Sequence, residues 1–418
     1  MIIPRDRYLE RLVARKHNGL IKIVTGMRRC GKSFLLFKLF REHLLSEGVP
    51  ESHIIRIELD DRRNKRLRDP DACLEYVTGL LKEEGMYYLL IDEVQFMTEF
   101  EDVLNSFLHI ENLDTYVTGS NSRFLSTDII TEFRGRGDEI HVRPLSFAEY
   151  CSVYPDMAWD DAWNMYHTYG GLPYAVLLDK AEDKALYLKR LFREVYLKDI
   201  VERNKVHNSI QLGALLDIIS SGIGSLTNPR KLENTFKSDG SISISAVTIK
   251  QYLDYFTDSF LVEKAERYDI KGKKYISTPH KYYFSDLGLR NARLNFRQQE
   301  ETHIMENVIY NELRMRGYSV DVGVVEINER TPAGTYVRKQ IEIDFVANKG
   351  SRRYYIQSAF ALPSSEKAAQ EERPLKNVPD SFKKIIVVKD NIMLRRDDNG
   401  ITTMGLKQFL LDPDSLDL

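Results

Sequence analysis

Residues 21–36 read IKIVTGMRRCGKSFLL, and this stretch decides the fold of the first part of the chain. Ile21, Ile23 and Val24 form a short apolar, largely β-branched run, which predicts a strand. Gly26 to Ser33 then fit G-x-x-x-x-G-K-[ST], and Phe34 to Phe40 open a helical apolar pattern. Gly26 and Gly31 let the backbone turn tightly and bring its N–H groups close to phosphate oxygens, where a side chain would block the approach. The loop ends at a helix N-terminus, whose unpaired N–H groups and dipole attract an anion. Lys32 is placed to reach β- and γ-phosphates, and the Ser33 hydroxyl to ligate Mg²⁺. The spacing therefore predicts an ATP site built from Gly26, Met27, Arg28, Arg29, Cys30, Gly31, Lys32, Ser33 and Phe34. Cys30 lies inside the loop, where it reads as a tolerated small residue or as a thiol whose oxidation hinders nucleotide binding.

The whole chain bounds the answer further. Its 418 residues exceed one ordinary domain and predict two or three. It is 43% hydrophobic and 29% charged, which is a globular composition. No apolar run approaches the roughly 18 residues of a membrane span. The opening MIIPRDRYLERL is charged from residue 5 onward, unlike a secretory signal. A net charge of −2 argues against a uniformly basic nucleic-acid coat and leaves local patches open. Cys30, Cys73 and Cys151 are widely spaced, fit no zinc pattern and suit a reducing cytoplasm.

After the loop helix, His53 to Leu59 reads as a second strand, followed by the basic run Arg62-Arg63-Asn64-Lys65-Arg66. Tyr87 to Glu93 (YYLLIDE) reads as a buried strand that delivers two carboxylates at its C-terminal edge, where open α/β sheets bind ligands. Asp92 is the candidate Mg²⁺ holder and Glu93 the candidate base that orients or deprotonates water. Thr115 to Ser122 reads as a strand with a polar tip, where Ser120 or Asn121 is placed to sense the γ-phosphate. Arg134 and Arg136 precede another strand, Glu139 to Val142. Arg136 is the preferred arginine finger, reaching a neighbouring subunit's ATP and so implying a homo-oligomer. The alternatives are a surface arginine or one acting in its own subunit.

GMRRCGKS, LLIDEV, TGSNS and GRGDEIHVRPLSFAEY together resemble the prokaryotic AAA-like P-loop ATPases grouped as an AAA domain with a C-terminal DUF4143 region. The resemblance covers most of the chain, and R-P-L-S-F-x-E-Y is its most specific part. It implies a central parallel sheet in which the sensor strand lies between the Walker A and Walker B strands. It also implies that Gly170-Gly171-Leu172-Pro173, which interrupts the helical pattern from Trp159 to Arg203, belongs to a helical lid.

Residues 210–291 read as a winged helix. Ala246, Ile249, Leu253, Phe256 and Phe260 recur at helical spacing, with Thr248, Lys250, Gln251 and Asp254 on the other face. ERYDIKGKKYIS, residues 266–277, reads as a hairpin with Lys271, Lys273 and Lys274 at its tip. Such a basic wing beside a polar helix suits double-stranded DNA, and the same fold also serves as a protein dock. Beyond it, a helix carrying Glu306, a strand carrying Asp344 and a strand Tyr354 to Ala359 follow the layout of restriction-endonuclease-like nucleases. Gln357 and Ala359 stand where that layout needs a carboxylate and a lysine, so loss of nuclease activity is expected.

The sequence thus predicts an α/β chain in four parts: a P-loop NTPase parallel-sheet core (1–150), a helical lid (151–207), a winged-helix domain (208–295) and a degenerate nuclease-like α/β domain (296–418). The expected activity is Mg²⁺-dependent ATP hydrolysis by Lys32, Glu93, Asn121 and Arg136, with Ser33 and Asp92 on the metal, coupled to DNA or a protein partner. The alternatives are a nucleotide-gated DNA-binding or signalling protein with little turnover, and an ATP-regulated nuclease.

Overall fold

The computed structural model describes residues 2–119, 135–239, 243–297, 300–330 and 335–418. The chain divides into two compact units. One comprises Met1–Leu145, Leu172–Tyr174 and Asp258–Phe260; the other comprises Ser146–Gly171, Ala175–Thr257 and Leu261–Leu418.

The first unit runs α1 (Asp6–Val13), β1 (Ile21–Thr25), α2 (residues 32–46, with a π-helical stretch at Leu35–Phe40), β2 (Ile54–Glu58), α3 (Pro70–Leu80), β3 (Tyr87–Asp92), α4 (Phe100–Phe107), β4 (Leu113–Thr118) and β5 (Gly137–His141). Among the described residues its strands form one five-stranded sheet, ordered β2-β3-β4-β1-β5, and every pairing is parallel. Every residue of β1, β3 and β4 is buried. Parallel strands covered by helices on both faces give such continuous buried runs. Ile23, Leu89, Ile91 and Val117 pack with Val77 of α3 and Phe107 of α4. The strand order puts β4 between β1 and β3, as the family resemblance implied.

The second unit opens with α5 (Phe147–Val153), α6 (Trp159–Tyr169), α7 (Pro173–Leu177, from Ala175 onward), α8 (residues 181–203), α9 (Ser209–Ser221), α10 (Pro229–Asp239) and α11 (Ala246–Asp258, as far as Thr257). Ser146 starts α5 with a reciprocal capping box to Glu149. Then come β6 (Val262–Asp269), β7 (Lys274–Phe284), α12 (Leu287–Arg293), α13 (Glu301–Met315), β8 (Ser319–Arg330), β9 (Tyr336–Lys349), β10 (Arg352–Ala359), α14 (Ser365–Lys376), β11 (Lys383–Val388), β12 (Arg395–Arg396), β13 (Ile401–Gly405) and α15 (Leu406–Leu411). Its strands form a mixed sheet ordered β12-β13-β11-β10-β9-β8-β6-β7.

This sheet corrects two expectations. The boundary placed between residues 295 and 296 cuts through it, because β6 hydrogen-bonds β8 in parallel from Arg267↔Val322 to Asp269↔Val324. The hairpin β6–β7 is therefore not a free wing but two strands of the larger sheet. The boundary at 207/208 separates no compact unit either, since the lid helices and α9–α11 lie in the same one.

α12 is fastened by buried polar groups. Asp286 caps it by accepting from Leu289 N–H (3.0 Å) and also accepts from Gly171 N–H (2.8 Å). Asn291, fully buried, donates to the carbonyls of His167 (2.8 Å) and Thr168 (3.0 Å) at the end of α6. Gly288 is required there, because a Cβ would lie 2.1 Å from the Tyr169 carbonyl oxygen. The Gly-Gly break after α6 is thus shaped to dock α12.

Lys184 of α8 is also buried, donating to the carbonyls of Ala175 (2.8 Å) and Val176 (2.9 Å) of α7. Burial pushes its ammonium down to about 8, opposed by the charge of Asp179. The unfolded chain keeps an ordinary lysine at 10.5. Between these values the unfolded state binds the extra proton, so stability rises with pH across that window. Lys184→Met should lack this increment. The difference in urea-unfolding free energy, wild type minus Lys184→Met, should grow from pH 8 to pH 10.5; a difference independent of pH would refute the burial cost assigned to this ammonium.

Candidate functional site

The loop after β1 has the backbone that its sequence demands. Gly26 has φ +137° and Gly31 φ +99°, both in the region that side chains disfavour. At Gly26 a Cβ would also sit 2.0 Å from the Val142 carbonyl oxygen. Arg29 adopts φ +65°. Met27 and Cys30 are buried, and the Cys30 thiol donates to the Val142 carbonyl at 3.3 Å. Arg28 is half-buried, whereas Arg29, Ser33 and Phe34 are exposed. Arg5, buried just before α1, donates to the carbonyls of Cys30 (3.1 Å) and Arg143 (2.6 Å). It ties the loop to the segment that follows β5. Lys32 opens α2; its ammonium is buried and donates to the loop carbonyls of Gly26 (3.0 Å) and Met27 (3.1 Å).

The carboxyl ends of β3 and β4 complete the group. Asp92 is 6% exposed. The Thr118 hydroxyl donates to its Oδ1, the Ser33 hydroxyl also hydrogen-bonds it, and Glu93 N–H donates to Thr118 Oγ1 at 3.0 Å. Burial raises the Asp92 pKa, while the two hydroxyls favour its ionised form. Glu93 stands at φ +50°, and the Gln95 amide donates to its carboxylate. A carboxylate strained by burial, sharing a hydroxyl with a helix start, fits a divalent cation; a glycine cradle with an inward lysine fits phosphates.

Thr118 was missed as a functional residue. It is the last residue of β4, just before the polar tip from which the sequence pattern draws its sensor candidates. A hydroxyl on the last residue of the strand between β1 and β3 was the available signal. Ser120, Asn121 and Arg134 lie outside the described residues. Arg136 is exposed, and its carbonyl accepts from Ile21 N–H at 3.0 Å. It therefore sits at the amino edge of β1 and β5, a strand length of roughly 16 Å from the loop at the carboxyl edge. That position argues against a role on the nucleotide of its own subunit.

A second polar centre joins three strands and a helix of the second unit. The structure brings Glu306 of α13 and Asp344 of β9 together around Lys281 of β7. The Lys281 ammonium, 4% exposed as a residue, lies 2.8 Å from Glu306 Oε1, 2.7 Å from Glu342 Oε1 and 3.9 Å from Asp344 Oδ1. Tyr283 OH donates to Glu306 Oε1 at 2.6 Å, and Ser358 N–H to Asp344 Oδ2 at 2.8 Å. Burial opposes the charge on Lys281, but Glu306, Asp344 and Glu342 outweigh it and raise its pKa. Burial likewise works against the Glu306 carboxylate; Lys281, with His303 and Tyr283, holds its pKa down. Burial, then the charge of Glu306, pushes Asp344 up, opposed by Lys281 and by the Ser358 N–H.

The register expected for β10 is corrected here. Tyr355 and Ala359 belong to the core with Leu375 of α14, and strand alternation puts Gln357 on that face. Ile356 pairs with Phe345, whose ring contacts Tyr283 and Tyr310, and Ser358 shares this other face. Gln357 and Ala359 therefore do not stand beside Glu306 and Asp344. The centre does hold a cation, supplied by β7 rather than by β10. Among the described residues no group of three or more His, Cys, Asp or Glu is arranged to hold a metal ion.

The fold and the loop define an AAA-like P-loop ATPase domain, and residues 18–151 match the family described as "AAA domain". Residues 160–300 match a domain of unknown function, DUF8612. An "Uncharacterized protein" of Haemophilus influenzae is 32% identical over 391 residues, covering 92% of this chain and 93% of that one. The chain belongs to the family of that Haemophilus protein. A Methanocaldococcus jannaschii "Uncharacterized protein" is 26% identical over 388 residues, covering 90% and 81%. Among solved structures, Aeropyrum pernix ORC1 in complex with DNA is similar at 12% identity and TM-score 0.28, over 71% of this chain and 93% of that one. Cdc6p from Pyrobaculum aerophilum is similar at 12% identity and TM-score 0.30, over 73% and 96%. No helix among the described residues is long and apolar enough to cross a membrane.

Lys281→Met should destabilise the protein by about 3–5 kcal/mol at neutral pH, because it strands buried carboxylates. In the variant, Glu306 and Asp344 take pKa values above those of the unfolded chain. Its folded state then binds more protons, and the deficit shrinks as pH falls. Denaturant unfolding at pH 7.5 and pH 5 checks this; equal stability of variant and wild type at both would refute the ion-pair centre.

Proposed function

We propose that this chain is a Mg²⁺-dependent ATPase whose nucleotide state governs binding of double-stranded DNA, or of a protein partner, by its second unit. The observation that carries the reading is the meeting of Ser33, Asp92 and Thr118 at the carboxyl edge of β1, β3 and β4, beside the glycine loop and Lys32. Mg²⁺, when bound, supplies charge that neutralises the β- and γ-phosphates. Ser33 and Asp92 would hold it. The backbone from Gly26 to Phe34 presents N–H groups to phosphate oxygens, and Lys32 exchanges two loop carbonyls for them. Thr118 keeps Asp92 aimed and orients the backbone of Glu93. Glu93 accepts the proton of the attacking water, with Asn121 as the expected γ-phosphate sensor. Arg136, at the far edge of its own sheet, acts on a neighbour's nucleotide in a homo-oligomer.

The coupling to DNA rests on the second unit. α9, α10 and α11 followed by β6–β7 keep the order of elements of a winged helix, as in the DUF4143-type resemblance. Lys250 and Gln251 of α11 and Lys271, Lys273 and Lys274 at the β6–β7 turn are all exposed, which suits phosphate contacts. Asp254 is exposed on the same helix, which favours the protein-docking alternative. Lys281 is ion-paired to Glu306 and Glu342 and lies near Asp344, occupying the carboxylates that a nuclease needs for Mg²⁺, which favours a centre without nuclease activity. Three thiols suit a reducing cytoplasm.

ATP hydrolysis by wild type and Glu93→Gln, with and without double-stranded DNA at low salt, tests the reading. Glu93→Gln should lower turnover by about 10²–10⁴-fold. Stimulation by DNA supports the DNA coupling, and indifference to it moves the search to proteins. Wild-type turnover from Glu93→Gln would overturn the catalytic assignment. Slow hydrolysis with ATP-dependent partner capture would favour the nucleotide-gated binder. Mixing Arg136→Ala with Glu93→Gln should restore turnover that neither has alone; no recovery in the mixture would remove the arginine finger.

A further inference from the structure

A cavity of about 530 Å³ lies at the carboxyl edge of β10, β11 and β13, in the second unit. These three strands are adjacent and parallel. The carboxyl edge of such strands is where open α/β sheets bind ligands, because the loops that leave it diverge and open a crevice. The loops here supply Phe360 after β10, Lys389 and Asp390 after β11, and Lys407 after β13, with Trp159 of α6 as a further wall. A volume of this size is in the range of small-ligand pockets, about 300–1,000 Å³.

The lining has three unlike parts. The Trp159 ring is half-buried and forms an aromatic wall; Lys407 Nζ stands 5.8 Å from its centroid. Lys389 Nζ lies 4.8 Å from the Phe360 centroid and pairs with Glu301 at 2.9 Å. Lys407 is half-buried and forms no ion pair with a carboxylate among the described residues. Asp160 and Asp390 add acceptors to the same cavity. A wholly apolar ligand would leave the Lys407 charge uncompensated. A bare polyanion would meet the two carboxylates. A ligand with a planar ring, donor groups on the ring edge and one anionic end satisfies all three parts.

The geometry points to a binding site for a nucleoside phosphate, either free or at the end of a single strand. Its base stacks on Trp159, a ring-edge N–H of the base faces Asp390 or Asp160, and its phosphate meets Lys407. Base stacking on an aromatic side chain is worth about 1–3 kcal/mol, enough to favour the nucleotide over phosphate alone. This site goes beyond the ATPase reading and does not depend on it.

The chain has two tryptophans, Trp159 and Trp163, both on α6, so intrinsic fluorescence reports on this wall. The full chain carrying Lys32→Ala, which removes nucleotide binding at the loop, is titrated with dTMP, with 5′-phosphorylated tetrathymidylate and with inorganic phosphate. Calorimetry accompanies the fluorescence. Quenching by dTMP or by the tetranucleotide is expected, and Lys407→Ala in the same background should weaken it about ten- to a hundredfold. Binding of dTMP supports a free-nucleotide site; binding of the tetranucleotide alone supports a strand-end site. The proposal is overturned if neither probe binds at millimolar concentration, if Lys407→Ala binds as tightly as its parent, or if inorganic phosphate binds as well as dTMP. Lys407→Ala on the otherwise wild-type chain should keep its ATPase rate, so failure here is separable from failure of the Glu93 assignment.

Discussion

The Val142 carbonyl oxygen stands 2.0 Å from where a Cβ on Gly26 would lie, and the geometry of the first unit follows from that approach. Only glycine lets the chain leave β1 so close to the backbone beyond β5. Once it does, the loop is held from two sides. The Cys30 thiol meets the same carbonyl, and Arg5 bonds both Cys30 and Arg143. The start of α2 is thereby fixed against the end of β1, and with it Lys32 and Ser33. β4, inserted between β1 and β3, then carries Thr118 to Asp92. The chemistry at the sheet edge is an outcome of strand order as much as of the loop itself.

Buried charge recurs through the molecule, and each instance is tied to a particular pairing of elements. Lys22 of β1 and Asp114 of β4 form an ion pair inside the first sheet, where Tyr116 OH also donates to Asp114 at 2.8 Å. Burial lowers the Lys22 pKa and Asp114 opposes it. Such pairs contribute little net stability, but they penalise every register in which one partner is left alone. Lys281 acts in the same way for β7, α13 and β9. Asp286 and Asn291 do so for α12 and the end of α6. The second unit thus joins its helices to its mixed sheet through polar contacts that tolerate few alternatives.

Much of the first unit was legible in the chain. The loop glycines, the apolar strands and the order of elements follow local rules: φ above zero excludes side chains, and strands buried on both faces read as unbroken apolar runs. In the second unit the strands that carry Asp344 and Ser358 were found, but not their faces. The register between β8 and β9 shifts between Asp321 and Gly323. Such a shift changes which face successive residues occupy, whereas placing Gln357 and Ala359 beside Asp344 assumes unbroken alternation. The β6–β7 hairpin was read as a separate wing because a hairpin is a local pattern, whereas its pairing with β8 spans more than fifty residues.

By itself the sequence determined the phosphate loop, the carboxylates at the end of β3 and the succession of helices and strands, because each depends on neighbours a few residues away. Only the tertiary structure decided that Thr118 joins Asp92 to Glu93, that Arg136 stands at the edge of the sheet away from the loop, and that Lys281 occupies the centre of the second unit's carboxylates. These depend on which strands lie side by side and in what register. That choice comes from packing the whole chain, and spacing along one strand does not encode it.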